Sequence, residues 1–401
     1  MIVERVEEYR KEMVKTLSDL IRIKAVPPDF GGDGELERAE YLMKHLDFCE
    51  VERFDASDER ARGGVRPNIV AKLRGALERT IWIVSHLDVV PEGNVELWKY
   101  PPFEAHVEGD RIYGRGAEDN GQAIVASLYA AKAIHESGLT PKYSLGLVFV
   151  SDEECGSRYG MRHLLKHRPF DKDDMFLVPD VSSPKGDAIE IAEKSILWLK
   201  FIVYGDQSHA SNPKGLNAAR RAMRFLIDLD EKLHAKFSAK NYLFNPPYST
   251  FEPTKREKNV ENVNTIPGID VSYMDCRILP DYDLREVLDY INDIREFHEM
   301  RDGKKIDLEV VQSDSSPPTP ESAEIVVRLK RVLLELRGIE ARTIGIGGNT
   351  CAAILRSSGY VNTAAWLTAD GTAHQPNEYC VVSNLVEDAK VFATLPFDPE
   401  Y

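Results

Sequence analysis

The sequence contains no apolar run approaching the ~18–20 residues that cross a bilayer, so no membrane span is expected. Its five cysteines (Cys49, Cys155, Cys276, Cys351 and Cys380) are scattered, odd in number and form no Cys-x-x-Cys pair. That spacing excludes a disulfide framework and a thiolate zinc knuckle, and points to a reducing, cytoplasmic setting. There is no Asn-x-Ser/Thr site. The opening MIVERVEEYRKEMVKTL reads as an amphipathic helix rich in Glu and Lys rather than as a signal peptide. A dinucleotide fingerprint is missing too: Gly114-x-Gly116 is followed by Asp119 where the third glycine belongs, and Gly345-x-Gly347 by Thr350. Positive charge is in deficit, with 51 Lys and Arg against 66 Asp and Glu, a formal net charge of −15. Nucleic acids and anionic membrane surfaces are disfavoured as partners on that balance. No internal repeat or low-complexity tract occurs.

What is present is a long chain, 43% hydrophobic, with enough apolar residues to bury real cores. Its 401 residues exceed the ~250–300 that one core supports, so more than one domain is expected. The first ~190 residues alternate helix and strand: helices over 3–23, 34–48 and 121–136, and strands over 68–73, 81–87 and 144–150. The last two strands are almost wholly apolar, as strands covered on both faces are. After residue 194 the rhythm changes to a strand over 196–204, a helix over 216–233, a strand pair over 259–265 and 269–279, a helix over 284–299 and a strand over 306–311. Ser315-Ser316-Pro317-Pro318 reads as a linker. Beyond it the helix–strand alternation resumes, with helices over 320–337, 349–358 and 383–393 and strands over 341–346 and 360–366. The expected architecture is an α/β catalytic domain in two pieces, 1–194 and 315–401, with a mixed sheet flanked by helices. Between them lies an inserted α+β sandwich over 195–314.

Chemistry-bearing residues fall just past the ends of apolar strands, where α/β sheets place ligands. His86 and Asp88 close the first such strand, and their i, i+2 spacing puts both side chains on one side. Asp88 is therefore expected to accept from the imidazole N–H, the arrangement that fixes a metal-ligating histidine. Glu118 and Asp119 lie between glycines ahead of a helix, where a helix cap is the simpler reading. Asp152-Glu153-Glu154 ends a buried strand, and three adjacent acids there are costly without a positive partner. Asp180 closes another strand, and His374 lies in a Gly/Pro-framed loop. Carboxylates and imidazoles without thiolates suit Zn²⁺ or a similar divalent ion. Their number exceeds what one tetrahedral site takes, which suggests two ions sharing a carboxylate.

These residues form a pattern. Ser85-His-Leu-Asp-Val-Val-Pro91, Tyr113-Gly-Arg-Gly-Ala-Glu-Asp-Asn120, Asp152-Glu-Glu-Cys-Gly-Ser157, Pro179-Asp180, Ser208-His-Ala-Ser-Asn-Pro213, Asn264-Thr-Ile-Pro-Gly268 and His374-Gln-Pro-Asn-Glu378 occur in one order along most of the chain. In this the sequence resembles the dinuclear zinc peptidases and deacylases grouped with carboxypeptidase G, aminoacylase, acetylornithine deacetylase, succinyl-diaminopimelate desuccinylase and carnosinase-like dipeptidases. The resemblance implies two divalent ions, zinc first and cobalt or manganese as alternatives. Asp119 would bridge them, His86 and Asp180 completing one site, Glu154 and His374 the other. It implies Glu153 as the general base acting on a metal-bridging water, Asp88 as the partner that orients His86, and His209 as a donor to the reacting oxygen from the inserted domain. In the family the matching histidine acts across a homodimer formed through that domain. Arg277 matches an arginine that holds a substrate carboxylate, with Asn264, Gly347 and Gly348 as further substrate contacts. The implied activity is hydrolysis of a peptide or amide bond beside a free carboxylate, by a dipeptidase or carboxypeptidase first and an N-acyl-amino-acid deacylase second. Two departures bear on substrate: Asn120-Gly121-Gln122 replaces the common Lys-Gly after the bridging Asp, and Gly347-Gly348-Asn349-Thr350 lacks the acid of the Gly-Gly-Thr-Asp form.

Overall fold

The computed structural model describes residues 2–398. The chain divides into two compact units, one formed by residues 1–191, 319–343 and 350–401, the other by 192–318 and 344–349.

The first unit is built on a mixed sheet. The strands lying wholly within it run in the order Glu50–Ser57, Val65–Leu73, Tyr143–Val150, Leu77–His86, Met175–Ser183 and Thr363–Thr368. The four from Tyr143–Val150 to Thr363–Thr368 are parallel to one another. Tyr143–Val150 is buried throughout and Leu77–His86 over its second half, which explains their continuous apolar character. The helix Ala123–Ser137 buries eleven residues and packs against Val382–Thr394 and the N-terminal helices.

The second unit has an antiparallel sheet ordered Thr250–Arg256, Ile269–Ile278, Ser195–Tyr204, Ile306–Asp314. Alternate residues of Ile269–Ile278 are buried, and so are Leu197, Leu199, Phe201 and Val203. That face packs on the apolar stripes of Ala218–Lys236 and Leu284–Asp302, through Phe225, Leu229, Leu233, Val287 and Ile291. The result is a two-layer α+β sandwich.

Three expectations are corrected. The helix over 3–23 is two helices, Ile2–Glu8 and Arg10–Arg22, broken at Tyr9, whose buried ring packs on Tyr129 and whose hydroxyl bonds Glu136. The strand expected over 259–265 is absent apart from Thr265–Ile266. The partner of Ile269–Ile278 is instead Thr250–Arg256. Residues 261–264 are exposed and have no apolar face to bury, whereas Thr250–Arg256 carries Pro253 and Lys255, residues an edge strand tolerates. The strands Glu50–Ser57 and Ala188–Glu193 were not expected. The first buries only Ala56 fully, and in the second the apolar pattern is interrupted by buried Glu190, paired with Arg356 at 2.8 Å. Among the described residues no helix is long and apolar enough to cross a membrane.

Gly146 lies against Trp82 in the neighbouring strand, and a Cβ there would fall 1.9 Å from the indole ring. Trp82 cannot yield easily, because Asp174 accepts from its ring N–H at 2.8 Å and Phe170 packs on its edge at 4.9 Å. Gly146→Ala is therefore expected to cost at least ~1–3 kcal/mol. A lowered urea midpoint for the first unit, followed by hydrogen exchange of Tyr143–Val150, checks this.

Candidate metal centre

Adjacent parallel strands deliver the acids and the first histidine. His86 is the last residue of Leu77–His86, opposite Val150 in the next strand, and the chain beyond Val150 turns at once through Glu153–Cys155. Asp180 lies in Met175–Ser183 on the other side. Asp119 comes from the helical turn Ala117–Gln122 ahead of Ala123–Ser137. Gly121 is required there: its Cβ would fall 2.3 Å from the Gly116 carbonyl oxygen. His374 comes from the loop before Tyr379–Val381.

The two oxygens of Asp119 face different histidines. Oδ1 is 2.8 Å from His86 Nε2, and Oδ2 is 3.1 Å from His374 Nε2. Asp180 Oδ1 is 3.8 Å from His86 Nε2, and Glu154 Oε1 is 3.1 Å from His374 Nε2. The donors thus form two groups, His86–Asp119–Asp180 and Asp119–Glu154–His374, each with its ligand atoms within 4.8 Å of one another. A third group, Asp29–Asp152–Cys155, is already engaged by cations: Asp29 accepts both arms of Arg60, and Asp152 Oδ1 lies 3.3 Å from Arg66.

The donor set fits divalent ions. Nitrogen and oxygen donors without thiolate suit zinc-like metals, and one carboxylate offers a separate oxygen to each group. The electrostatics agree. Five carboxylates (Asp88, Asp119, Glu153, Glu154 and Asp180) face two imidazoles. Burial, with Asp180, Glu154 and Asp88 nearby, pushes Glu153 well above the usual carboxylate range. Burial and the neighbouring Asp119 raise Glu154 to about 7. Burial opposes charge on His86, yet Asp119, Asp180 and Asp88 hold its pKa well above the ordinary value. Hydrogen bonds to Asp119 and Glu154 raise His374 to about 10.

Asp88 departs from its expected part. The His86 Nδ1 bond goes to the Asp88 backbone oxygen at 3.1 Å, while the Asp88 carboxylate is 3.6 Å from that nitrogen. Its two oxygens instead accept the backbone N–H groups of Glu153 and Glu154, at 3.1 and 3.0 Å. Fully buried, Asp88 ties the histidine strand to the acid turn. Asp152, the first of the three acids, is structural: it accepts from Tyr159 N at 2.9 Å and lies by Arg66, itself paired with buried Glu35.

Sequence reasoning missed three supports. Glu378, fully buried, accepts the N–H groups of Glu118 and Asp119 at 3.0 and 3.1 Å and pairs with Arg115 at 2.5 Å. Asn120 donates to Pro179 O at 2.8 Å and to Asp180 Oδ1 at 3.3 Å, fixing that acid. Arg38 donates to Leu87 O at 2.8 Å and to Leu20 O at 2.9 Å, anchoring the strand end. Buried charge inside a polar motif was the available signal for Glu378; nothing in the sequence marks Arg38.

The other nominated residues lie in the second unit. His209 is exposed. Its Nδ1 accepts from Ser211 N at 3.2 Å, and its Nε2 lies 3.3 Å from Asn264 Nδ2. Arg277 is not an open fork. Its Nε and Nη2 donate to Asp275 at 2.8 and 3.0 Å, and Nη1 to Gly347 O at 2.9 Å. Nothing would meet a Cβ at Gly347 within 4 Å, and at Gly348 only Ile346 would, at 3.6 Å.

Residues 82–397 match the model of peptidase family M20/M25/M40. The chain belongs to that family. A metallohydrolase of Methanocaldococcus jannaschii is 44% identical over 402 residues, covering 95% of this chain and 98% of the relative. A succinyl-diaminopimelate desuccinylase of Gluconacetobacter diazotrophicus is 27% identical over 94% of each chain. The M20 family metallo-carboxypeptidase of Sulfolobus solfataricus shares the fold, with a TM-score of 0.76 and 20% identity over 96% of this chain and 98% of that one. The M20 protein is thus a metal-dependent hydrolase of peptide or amide bonds.

Two expectations follow for the M20 centre. In metal-free protein the His374 interaction stabilises the fold fully below the unfolded pKa of ~6.5 and is lost as pH rises through about 10. A divalent ion must displace those imidazole protons, so its apparent affinity is expected to rise between pH 6 and pH 9, with proton release. Titration calorimetry in buffers of different ionisation enthalpy reads both; pH-independent binding would contradict it. Glu378→Ala leaves Arg115 buried and unpaired, and is expected to cost ~3–5 kcal/mol and 10–100-fold in metal affinity.

Proposed function

We propose that the protein hydrolyses an amide bond next to a free carboxylate, as a dipeptidase or carboxypeptidase. The observation that carries the reading is Asp119, one oxygen towards each histidine group, with Glu153 in the adjoining turn. His86 and Asp180 would hold one divalent ion, Glu154 and His374 a second, with Asp119 available to both; zinc is the first candidate, cobalt or manganese the alternatives. When bound, such a pair supplies Lewis acidity and an acidified water.

The remaining steps belong to side chains. Glu153 takes the proton of the attacking water and hands it to the departing amine nitrogen. Its buried, acid-rich surroundings raise its affinity for that proton. Asp88 holds the Glu153 and Glu154 backbone in place. His209 donates a ring N–H to the oxygen that gains charge. Arg277 is aligned by Asp275 and Gly347 O, which take three of its five N–H groups and leave two for a substrate carboxylate. Asn264, Gly347 and Gly348 border the substrate. The inserted residues 195–314 serve as lid and as the contact of a homodimer, and the enzyme works in the cytoplasm.

A second reading, N-acyl-amino-acid deacylation, is favoured by the likeness to a desuccinylase over nearly the whole chain. A panel of dipeptides, longer peptides and N-acetyl and N-succinyl amino acids separates the two. Substrates with an amidated C-terminus are expected to lose most of kcat/KM; equal cleavage would refute the carboxylate requirement. Glu153→Ala is expected to keep its metal while kcat falls ~10²–10⁴-fold, and near-normal turnover would move the base elsewhere. Full activity of a sedimenting monomer would rule out the homodimer.

A further inference from the structure

The chain has four tryptophans, and three have an acceptor for the ring N–H. Trp82 donates to Asp174 at 2.8 Å, Trp98 to Glu92 O at 2.9 Å and Trp366 to Gly186 O at 2.8 Å. Trp198 is the exception. It is 38% exposed, and among the described residues its ring N–H meets no acceptor. Such a ring offers a large apolar contact area and one unused donor.

Its place in the sheet of the second unit shows what it stands beside. Along Ser195–Tyr204 the buried residues Leu197, Leu199, Phe201 and Val203 face the helices, so Trp198 takes the opposite face. Asp275 is its cross-strand partner, and side chains so opposed have Cβ atoms about 4.5–5.5 Å apart. Arg277 shares that face, two residues on. It folds back along the strand, with Nε and Nη2 on the Asp275 carboxylate at 2.8 and 3.0 Å. The guanidinium therefore lies in the row of Asp275, next to the indole. Other polar side chains of the face are occupied with one another: Lys200 with Glu309 at 3.1 Å, Tyr204 with Asp307 at 3.0 Å, and Gln312 with Asp314 at 2.8 Å. The strand Ile306–Asp314 shifts register between Val310 and Gln312, opposite Leu199 and Trp198. Irregularities of this kind re-aim side chains beside functional sites.

We propose that Trp198 is a specificity-determining residue, whose ring receives an aromatic or large apolar side chain on the residue whose carboxylate Arg277 binds. The inference rests on the carboxylate role assigned to Arg277. An amino-acid side chain leaves the carbon next to the carboxylate, so a group held by the Arg277 fork carries its side chain within reach of the neighbouring ring. Asp275 is already paired with Arg277, so the row offers that side chain apolar surface rather than free charge.

Kinetics of the full-length, metal-loaded protein test it. The acyl group best accepted in the substrate panel is joined to Ala, Leu, Phe, Glu or Lys, each with a free carboxylate. Phe and Leu substrates are expected to exceed the Ala substrate at least tenfold in kcat/KM, mainly through KM. In Trp198→Ala the Phe/Ala ratio is expected to fall at least fivefold at an unchanged melting temperature, while Trp198→Phe keeps most of it. Binding of free phenylalanine, leucine and alanine, followed by the emission that Trp198→Phe removes, is expected to rank in the same order. A Phe/Ala ratio near one, a ratio unmoved in Trp198→Ala, equal losses on all five substrates, or a preference for Glu or Lys would each overturn the proposal. The two readings fail separately. An unmoved ratio with C-terminal amides rejected removes Trp198 alone; equal cleavage of amides with the Trp198 dependence intact removes the carboxylate role of Arg277 alone.

Discussion

The first unit is organised around a half-buried carboxylate shared by two imidazoles. Asp119 turns one oxygen to His86 and the other to His374, and four more acids close around the three. Left to itself such a group is unfavourable: burial penalises every charge, and the carboxylates repel one another. The strain appears in the titration behaviour, with Glu153 and Glu154 driven up and both histidines held protonated far above their usual range. Two divalent cations would reverse those shifts together, by neutralising the acids and displacing the imidazole protons.

Much of the surrounding fold serves to hold that carboxylate and its neighbours still. Adjacent parallel strand ends supply His86, Asp180 and the acid turn, and short polar ties lock each to the next. Asp88 joins the histidine strand to the backbone of Glu153 and Glu154. Asn120 joins the Asp119 segment to Asp180, and Glu378 with Arg115 supports the Asp119 backbone from below. Arg66, shared by Glu35 and Asp152, offsets the burial of the first of the three consecutive acids. Ties of this kind determine whether donor atoms stand where an ion can use them.

The legible part of this was the part written in periodicity and position. Buried parallel strands such as Tyr143–Val150 announce themselves as apolar runs, and acids placed just past their ends stand out against that background. Less legible were elements whose burial is slight or polar. Glu50–Ser57 buries too little to show alternation, and Glu190 hides Ala188–Glu193 because its partner Arg356 lies 166 residues away. The same limit applies at the site. Spacing put His86 and Asp88 on one side of a strand, but only the folded chain turns the Asp88 carboxylate towards the acid turn. Likewise the guanidinium of Arg277 stood out, while its engagement with Asp275 and Gly347 O depends on the register of a sheet and a distant loop.

The central claim is that Asp119 bridges two ions. Anomalous diffraction from crystals of the metal-loaded protein, recorded on either side of the absorption edge of the bound metal, tests it directly. Two peaks are predicted ~3.5–4 Å apart, one beside His86 and Asp180, the other beside Glu154 and His374, with Asp119 between them. A single peak, or peaks away from Asp119, would contradict the account.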